Sequence, residues 1–147
     1  MLDRIEIVTE RLIGYSEMKI ENGKLREKQA EQTINIINVK PVSGRESGFI
    51  FYLAEKPNSK VCHIGITHKR DRFEVSYGTE EMYRNNRFMQ EALEGLLQWL
   101  KENTSELEVW GLPNGNISEH ILEKAGFHFE GFVENSQNSK WYRYVLR

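Results

Sequence analysis

The sequence predicts a mixed α/β (α+β) domain with a central, mostly antiparallel sheet. Residues 49–79 alternate between strand-like runs and turn signals, as in an antiparallel meander. Residues 88–102 instead carry apolar side chains on one helical face, namely Phe88, Met89, Ala92, Leu93, Leu96, Leu97 and Leu100. The chain of 147 residues fits a single domain over residues 1–147, which buries roughly two thirds of its unfolded surface.

The N-terminal part is predicted to begin with one strand over residues 4–15, bent near Glu10 and running on toward Ile20. Asn22-Gly23 then marks a turn. Residues 25–37 carry apolar side chains at helical spacing and predict a helix, although the segment is rich in β-branched residues.

The middle of the chain is predicted to form three antiparallel strands, over residues 49–54, 61–67 and 72–79, with a turn at residues 56–59. After the helix at 88–102 the pattern predicts alternating elements. They are a strand at 107–112, a helix at 117–124 that ends at Gly126 with Phe127 behind it, and two strands at 129–133 and 141–146.

Composition and charge exclude several classes of protein. The chain has 20 Lys and Arg against 22 Asp and Glu, and the two signs are mixed, so nothing indicates a nucleic-acid partner. Residues 1–6 lack the apolar region of a signal peptide, and no run of about 18 apolar residues occurs. We therefore expect a cytoplasmic protein that does not enter a membrane.

Cys62 and two histidines are weak candidates for chemistry. Cys62 lies in an apolar run, where burial is the better interpretation than a nucleophilic role. His63 and His68 are five residues apart with no third ligand nearby, so we expect no metal site.

The segment from Val75 to Leu93 is the most informative, because a strand and a loop lead directly into a helix. A helix N-terminus exposes unpaired N–H groups at the positive end of the helix dipole, which suits a pyrophosphate. Every junction of this kind has such a terminus, so on the pattern alone a plain connection is the better interpretation than an anion site.

This segment resembles motif A of the GNAT superfamily of N-acyltransferases, whose loop reads Arg/Gln-x-x-Gly-x-Gly/Ala. It is most similar to the RimJ/RimL-like branch, in which Tyr-Arg-Gly-x-Gly-x-Ala-x-Glu-Ala is usual. Tyr83, Arg84, Glu91 and Ala92 match that run.

The likeness extends over nearly the whole chain. Residues 116–127 resemble the branch's Asn-x-x-Ser helix, which ends in Leu-Glu-Lys-x-Gly-Phe, although Asn116 and Ser118 are two positions apart here rather than three. Thr9-Glu10-Arg11-Leu12 resembles the branch's opening strand. The resemblance implies the GNAT fold, with a twisted sheet of six to seven strands flanked by helices on both faces.

The resemblance also implies a function. Acetyl-CoA would be the co-substrate, without a metal, and the acceptor would be a primary amine, either a protein N-terminus or a small molecule. We expect direct attack of the amine rather than a cysteine intermediate. The alternative is a GNAT-fold binding or interaction module with impaired catalysis and weak or no CoA binding. A homodimer stays open.

Cofactor contacts are carried over from the family position by position. They fall on the end of the strand, on the loop and helix start, and on the second helix: Thr79, Glu81, Arg84, Asn85, Asn86, Arg87, Phe88, Met89 and Asn116. Asn116 is also a good helix N-cap, which requires no further function.

Three residues are candidates for catalysis. Glu80 and Glu81 lie at the acceptor end of the strand, where a carboxylate accepts a proton directly or through water, although adjacent acids before a loop are more often solvated. Ser118 corresponds to the branch's serine near the sulfur and is a candidate acid for the thiolate. A serine without a catalytic role is an equally open interpretation.

The loop departs from the family at Asn85, Arg87 and Met89, where glycine, glycine, and glycine or alanine are usual. Glycine lets the backbone approach the phosphates closely. We expect Arg87 and Met89 to add bulk near the ligand, while the guanidinium groups of Arg84 and Arg87 supply new phosphate donors. Residues 15–24 are too short and β-rich for the branch's acceptor-side helix, which predicts an open acceptor side.

Overall fold

The computed structural model describes residues 4–26, 48–68, 73–113, 116–134 and 139–146, with only the backbone of residues 116–118. The elements are β1 (Ile5–Val8), β2 (Leu12–Ser16), β3 (Lys19–Glu21), β4 (Lys24–Arg26), β5 (Gly48–Leu53), β6 (Lys56–His68), β7 (Phe73–Thr79), α1 (Phe88–Asn103), β8 (Glu108–Gly111), α2 (Asn116–Ala125), β9 (His128–Phe132) and β10 (Lys140–Val145). A 3₁₀ turn, Glu81–Tyr83, lies between β7 and α1.

Eight strands form one mixed sheet in the order β1-β2-β5-β6-β7-β8-β10-β9. All neighbours are antiparallel except β7 and β8, which run parallel. The predicted mixed α/β class with a mostly antiparallel sheet is confirmed. The sheet has eight strands rather than six to seven, because the predicted first strand is in fact two.

The chain reverses at residues 9–11 instead of bending. The Thr9 amide donates to the Leu12 carbonyl at 2.9 Å, and the Leu12 amide donates to the Thr9 hydroxyl at 3.1 Å. Two polar contacts across three residues close a tight turn, so β1 and β2 pair as a hairpin. The prediction of one bent strand was therefore wrong.

A second, separate ribbon follows. Asn22 and Gly23 have φ of 54° and 79°, the left-handed conformation that a tight hairpin turn requires, and they join β3 to β4. The turn is confirmed, and so is the β-character of residues 15–24. Leu25, the predicted start of a helix, lies in strand β4 instead. The remainder of that prediction, residues 27–37, lies outside the described residues.

Strands β5, β6 and β7 form the predicted meander. The turn between β5 and β6 falls at residues 54–55 rather than at 56–59. Tyr52 pairs with Lys60 and Leu53 with Lys56, so the intervening residues bulge out of β6. Pro57 lies in that bulge, where its missing N–H interrupts no regular ladder.

The core lies between one face of the sheet and the two helices. The helices contact each other and pack on the same face, α1 against β1, β2, β6 and β7 and α2 where its Leu122 reaches Gly111 of β8. The predicted α1 face is buried in full, namely Phe88, Met89, Ala92, Leu93, Leu96, Leu97 and Leu100. The described residues hold no helix on the other face, and most of the further predicted helix falls outside them.

Helix α2 ends as the sequence predicts. The Phe127 amide donates to the Leu122 carbonyl at 3.0 Å and the Gly126 amide to the Glu123 carbonyl at 3.1 Å. Gly126 has φ of 105°. These are the two bonds and the left-handed residue of a Schellman motif. Tyr142 of β10 is buried and adds to the core.

Gly14 on β2 is required by the packing of Phe51 on β5. A Cβ at position 14 would lie 2.6 Å from Cδ2 and 2.8 Å from Cζ of the Phe51 ring. We expect Gly14→Ala to lower the free energy of unfolding by about 1–3 kcal/mol, as overpacked cores do. Urea denaturation would measure this, and the double variant with Phe51→Leu should recover part of the loss. Equal stability of Gly14→Ala and wild type would contradict the packing argument.

Candidate functional site

The sheet opens between β7 and β8. Only Glu74 with Trp110 and Val75 with Gly111 are paired across these parallel strands. Gly78 and Thr79, at the end of β7, pair with β6 alone among the described strands, so the other edge of the strand faces an opening there. An open strand edge of this kind offers backbone N–H and C=O groups to an extended ligand.

The loop at the mouth of this opening has a glycine-like backbone. Asn85 has φ of 67° and Arg87 has φ of 62° with ψ of 20°, both in the left-handed region. Asparagine tolerates this region, whereas arginine pays about 1–2 kcal/mol for it. The two positions where the family has glycine therefore keep the conformation that glycine serves.

The start of α1 is open to an anion. Arg87 is the N-cap of the helix, and its side chain makes no capping hydrogen bond. The amides of Phe88, Met89 and Gln90 begin the helix and so have no partner one turn earlier. Together with the positive end of the helix dipole, these N–H groups make the helix start a candidate anion site.

The loop is closed by its own polar side chains. The Asn86 amide group donates to the Tyr83 carbonyl at 3.3 Å and to the Arg84 carbonyl at 3.1 Å. Arg84 Nε donates to the Thr79 carbonyl at 3.2 Å, while the rest of its guanidinium is exposed. The loop is thus tied to the end of β7 with cationic groups on its surface.

Glu91 fastens the helix start to the turn between β1 and β2. Its carboxylate accepts from the Thr9 hydroxyl, from the Arg11 backbone amide at 2.7 Å and from Arg11 Nε at 2.7 Å. Arg11 also donates to the Asn86 carbonyl at 3.0 Å and stacks on Phe88, with its guanidinium carbon 4.1 Å from the ring centre. One carboxylate therefore joins the N-terminal hairpin, the loop and the helix.

The surroundings of Glu91 favour its charged form. Partial burial by itself raises the pKa of Glu91, but the hydrogen bonds from Thr9 and Arg11 outweigh it, and the pKa lies below its ordinary value. The sequence marks Glu91 and Thr9-Glu10-Arg11 only as points of family resemblance. The contact between them joins segments about 80 residues apart, which no local pattern reveals.

The structure places several predicted site residues at the opening. Thr79 ends β7, the exposed Glu81 opens the 3₁₀ turn, and Glu80 lies between them with its carboxylate 3.7 Å from Lys60 Nζ. Asn116 is the first residue of α2. The side chains of Asn116 and Ser118 lie outside what the structure describes.

Met89 departs from the expected arrangement. Its side chain is 4% exposed and lies in the core, and Phe88 is buried beside it. The Met89 side chain points into the core, away from the exposed loop before the helix. The expectation that Met89 crowds the phosphates was therefore wrong; only the backbone amides of these two residues are available to a ligand.

His63 also lies at this site, although on the sequence alone we considered it only as a metal ligand. It lies on β6 directly opposite Gly78 of β7. A Cβ at Gly78 would lie 2.9 Å from Cε1 of the imidazole, so the ring leans over the glycine toward the opening. In the sequence, Gly78 is the only sign of this contact. Its significance becomes clear only from the strand register, which places it opposite His63.

Cys62 is buried on the core side of the same strand. Desolvation by burial, with a smaller effect from the charge of Glu91, raises the pKa of the Cys62 thiol to about 12. A thiol of this kind is not a nucleophile near neutral pH.

Two general features concern the described part of the chain. No helix there is long and apolar enough to cross a bilayer. Within the same residues, no three His, Cys, Asp or Glu side chains come together in a way that could hold a metal ion.

The chain is therefore a mixed α/β domain whose sheet opens between two parallel strands, with a loop and a helix N-terminus at the opening. The chain belongs to the GNAT acetyltransferase family, because the family model described as Acetyltransferase (GNAT) domain matches residues 8–128. No curated protein matches the chain in sequence.

Solved structures share this fold at low sequence identity. A GNAT-family acetyltransferase from Bacillus anthracis is 17% identical with a TM-score of 0.68, over 97% of this chain and 99% of that one. SpeG spermidine N-acetyltransferase from Vibrio cholerae (F149G mutant) is 14% identical with a TM-score of 0.58, over 67% and 63%. RimL, a ribosomal L7/L12 alpha-N-protein acetyltransferase in complex with coenzyme A, is 11% identical with a TM-score of 0.58, over 67% and 60%.

The role of Glu91 is testable by removing its charge. We expect Glu91→Gln to lower the free energy of unfolding at pH 7 by about 1.5–3 kcal/mol, the usual value of a hydrogen bond to a charged group. Because the folded pKa of Glu91 is lowered, its stabilising effect is present above the unfolded pKa of about 4.3 and is lost as pH falls through the folded pKa.

The stability gap between wild type and Glu91→Gln should therefore shrink on acidification below about pH 4.3, as measured by urea denaturation at each pH. The matched control is Glu94→Gln, which removes an exposed carboxylate one turn further along α1 that contacts Gln90. A gap that stays constant with pH, or an equal effect of the control, would contradict the assigned role.

Proposed function

We propose that the protein is an N-acetyltransferase that moves an acetyl group from acetyl-CoA to a primary amine by direct attack. The observation that carries this proposal is the left-handed backbone at both Asn85 and Arg87. Arginine adopts that conformation only at a free-energy cost, and a loop with no ligand to hold has no need of it.

The residues present fit the phosphates of the donor. The first amides of α1 supply backbone N–H groups, and Arg84 and Arg87 of the preceding loop are exposed. Arginine binds phosphate through two parallel hydrogen bonds, so these side chains add donors to a loop that lacks glycine. We propose Thr79, Glu81 and Asn116 for the rest of the donor arm.

Direct attack is favoured by the state of Cys62. Its thiol is fully buried, with a pKa raised to about 12, so it does not form an acyl intermediate. The amine nitrogen then bonds to the thioester carbonyl itself, and the C–S bond breaks. Glu80, Glu81 and Ser118 stay candidates for the proton transfers of this reaction.

The acceptor is a primary amine of a protein N-terminus or of a small molecule. Among proteins of similar fold, RimL is named for a ribosomal protein N-terminus and SpeG for spermidine. We place this chain in the RimJ/RimL-like branch, on the motifs around Arg84 and Asn116, and in the cytoplasm. Its only partners in this proposal are acetyl-CoA and the acceptor, with a homodimer left open and no role for nucleic acid or membrane.

The second candidate is a GNAT-fold binding module without acetyl transfer. It is favoured by one contact, since the Thr79 carbonyl that would pair with the donor arm already accepts a hydrogen bond from Arg84. Acyl transfer requires that this contact open or be shared.

Calorimetric titration with acetyl-CoA and with desulfo-CoA separates the two candidates. We expect saturable binding of both ligands, because the phosphates dominate recognition at the helix N-terminus. With acetyl-CoA and amines such as spermidine or a short peptide, released thiol should then report turnover. No saturable binding at millimolar ligand would exclude the enzyme.

Substitutions at Arg87 test the loop. Arg87→Gly relieves the left-handed strain and Arg87→Ala keeps it, while both remove the guanidinium. We expect the glycine variant to be more stable than the alanine variant by about 1 kcal/mol in urea denaturation.

Both Arg87 variants should bind acetyl-CoA about tenfold or more weakly than wild type, if the guanidinium holds phosphate through a charged hydrogen bond. Arg26→Ala, on strand β4, is a control for loss of an exposed arginine. Tighter binding by Arg87→Gly than by wild type would show instead that the side chain obstructs the backbone.

A further inference from the structure

The opening between β7 and β8 joins the two faces of the sheet. Helix α1 lies on the face to which the buried side chains of Ile64 and Ile66 point. Side chains alternate along a strand, so His63, next to Ile64, lies on the opposite face. A donor held at the helix N-terminus and a group on the face of His63 can therefore meet only through the opening.

Gly78 brings the imidazole of His63 to this opening. The two residues are directly opposite each other on β6 and β7, and the ring occupies the space where a side chain at position 78 would lie. On the side of β7 away from β6, Gly78 is not paired with β8, because the ladder between β7 and β8 ends at Val75 with Gly111. The ring thus lies within about one strand spacing, 4.8 Å, of the open edge.

We propose that His63 is the general base of the acetyl transfer. This inference rests on the proposed function and adds to it a residue that the family resemblance does not supply. When the amine nitrogen bonds to the thioester carbonyl carbon, it becomes positively charged and the carbonyl oxygen negative. His63 accepts the N–H proton, the C–S bond then breaks, and the proton passes from the imidazolium to the departing thiolate.

The surroundings of His63 suit this role. His63 is an exposed residue, and its partial desolvation, followed by the charge of Lys60, lowers its pKa, while Glu80 acts in the opposite direction. The ring is therefore neutral at neutral pH and ready to accept a proton. Opposite it on β5 lies Ile50, which does not titrate, so Lys60 and Glu80 are the charged groups that act on the ring among the described residues.

Glu80 supports the role of His63 through its charge. Its carboxylate is 3.7 Å from Lys60 and close enough to His63 to favour the protonated ring. It stabilises the imidazolium that forms during transfer, and it need not take the proton itself.

The first experiment measures turnover of His63→Gln, which keeps a polar side chain of similar size but cannot titrate. We expect kcat to fall by about 100-fold or more, the usual range for loss of a general base, with unchanged acetyl-CoA affinity by calorimetry. The control, His128→Gln, removes an exposed histidine on the edge strand β9 and should retain wild-type kcat.

The pH profile distinguishes a base from a structural residue. In wild type, kcat/KM should rise with pH as His63 loses its proton, with an apparent pKa below 6.5. His63→Gln should lack this limb. Gly78→Ala leaves the histidine in place but displaces the ring, so we expect it to lower kcat while acetyl-CoA affinity is kept.

A third measurement needs no acceptor. On titration of acetyl-CoA, the NMR signal of the imidazole Cε1–H of His63 should shift, while that of His128 should not. Acetyl-CoA binding without a shift at His63, or His63→Gln with wild-type kcat, would overturn the role of His63 alone. Absence of any acetyl-CoA binding would overturn the proposed function, and this inference with it.

Discussion

The charged hydrogen bonds of Glu91 hold the candidate site together. The carboxylate accepts from Thr9 and twice from Arg11, and it thereby fixes the start of α1 against the turn between β1 and β2. Arg11 extends the link to the loop through the Asn86 carbonyl. These contacts supply the free energy that offsets a left-handed arginine at position 87, so the loop keeps its shape without glycine.

Glycine has a different place here than in the family motif. The loop does without it at positions 85 and 87, while Gly78 in the preceding strand makes room for the ring of His63. In the proposed function, donor binding depends on backbone conformation and guanidinium charge, and access between the two faces depends on the missing side chain in β7. The loop and the His63 ring lie at opposite sides of the opening between β7 and β8.

The order of elements from residue 48 onward follows from local patterns. The amphipathic face of α1, the glycine end of α2 and the closing strand pair were all predicted within a few residues, because each depends on neighbours three or four positions away or on simple alternation. The N-terminal hairpin was missed, since Thr9-Glu10-Arg11 carries neither glycine nor proline. Its turn depends on side-chain hydrogen bonds that the sequence does not display.

The sequence by itself determined the fold class, the family and the position of the candidate phosphate loop, Arg84 to Met89, because helical periodicity and motif spacing are encoded along the chain. Only the tertiary structure decided the conformation and the contacts of that loop. It directed Met89 into the core, gave Asn85 and Arg87 the conformation of glycine, and brought Glu91 to Arg11. It also set His63 against Gly78, which depends on strand register, a relation between segments that no run of residues contains.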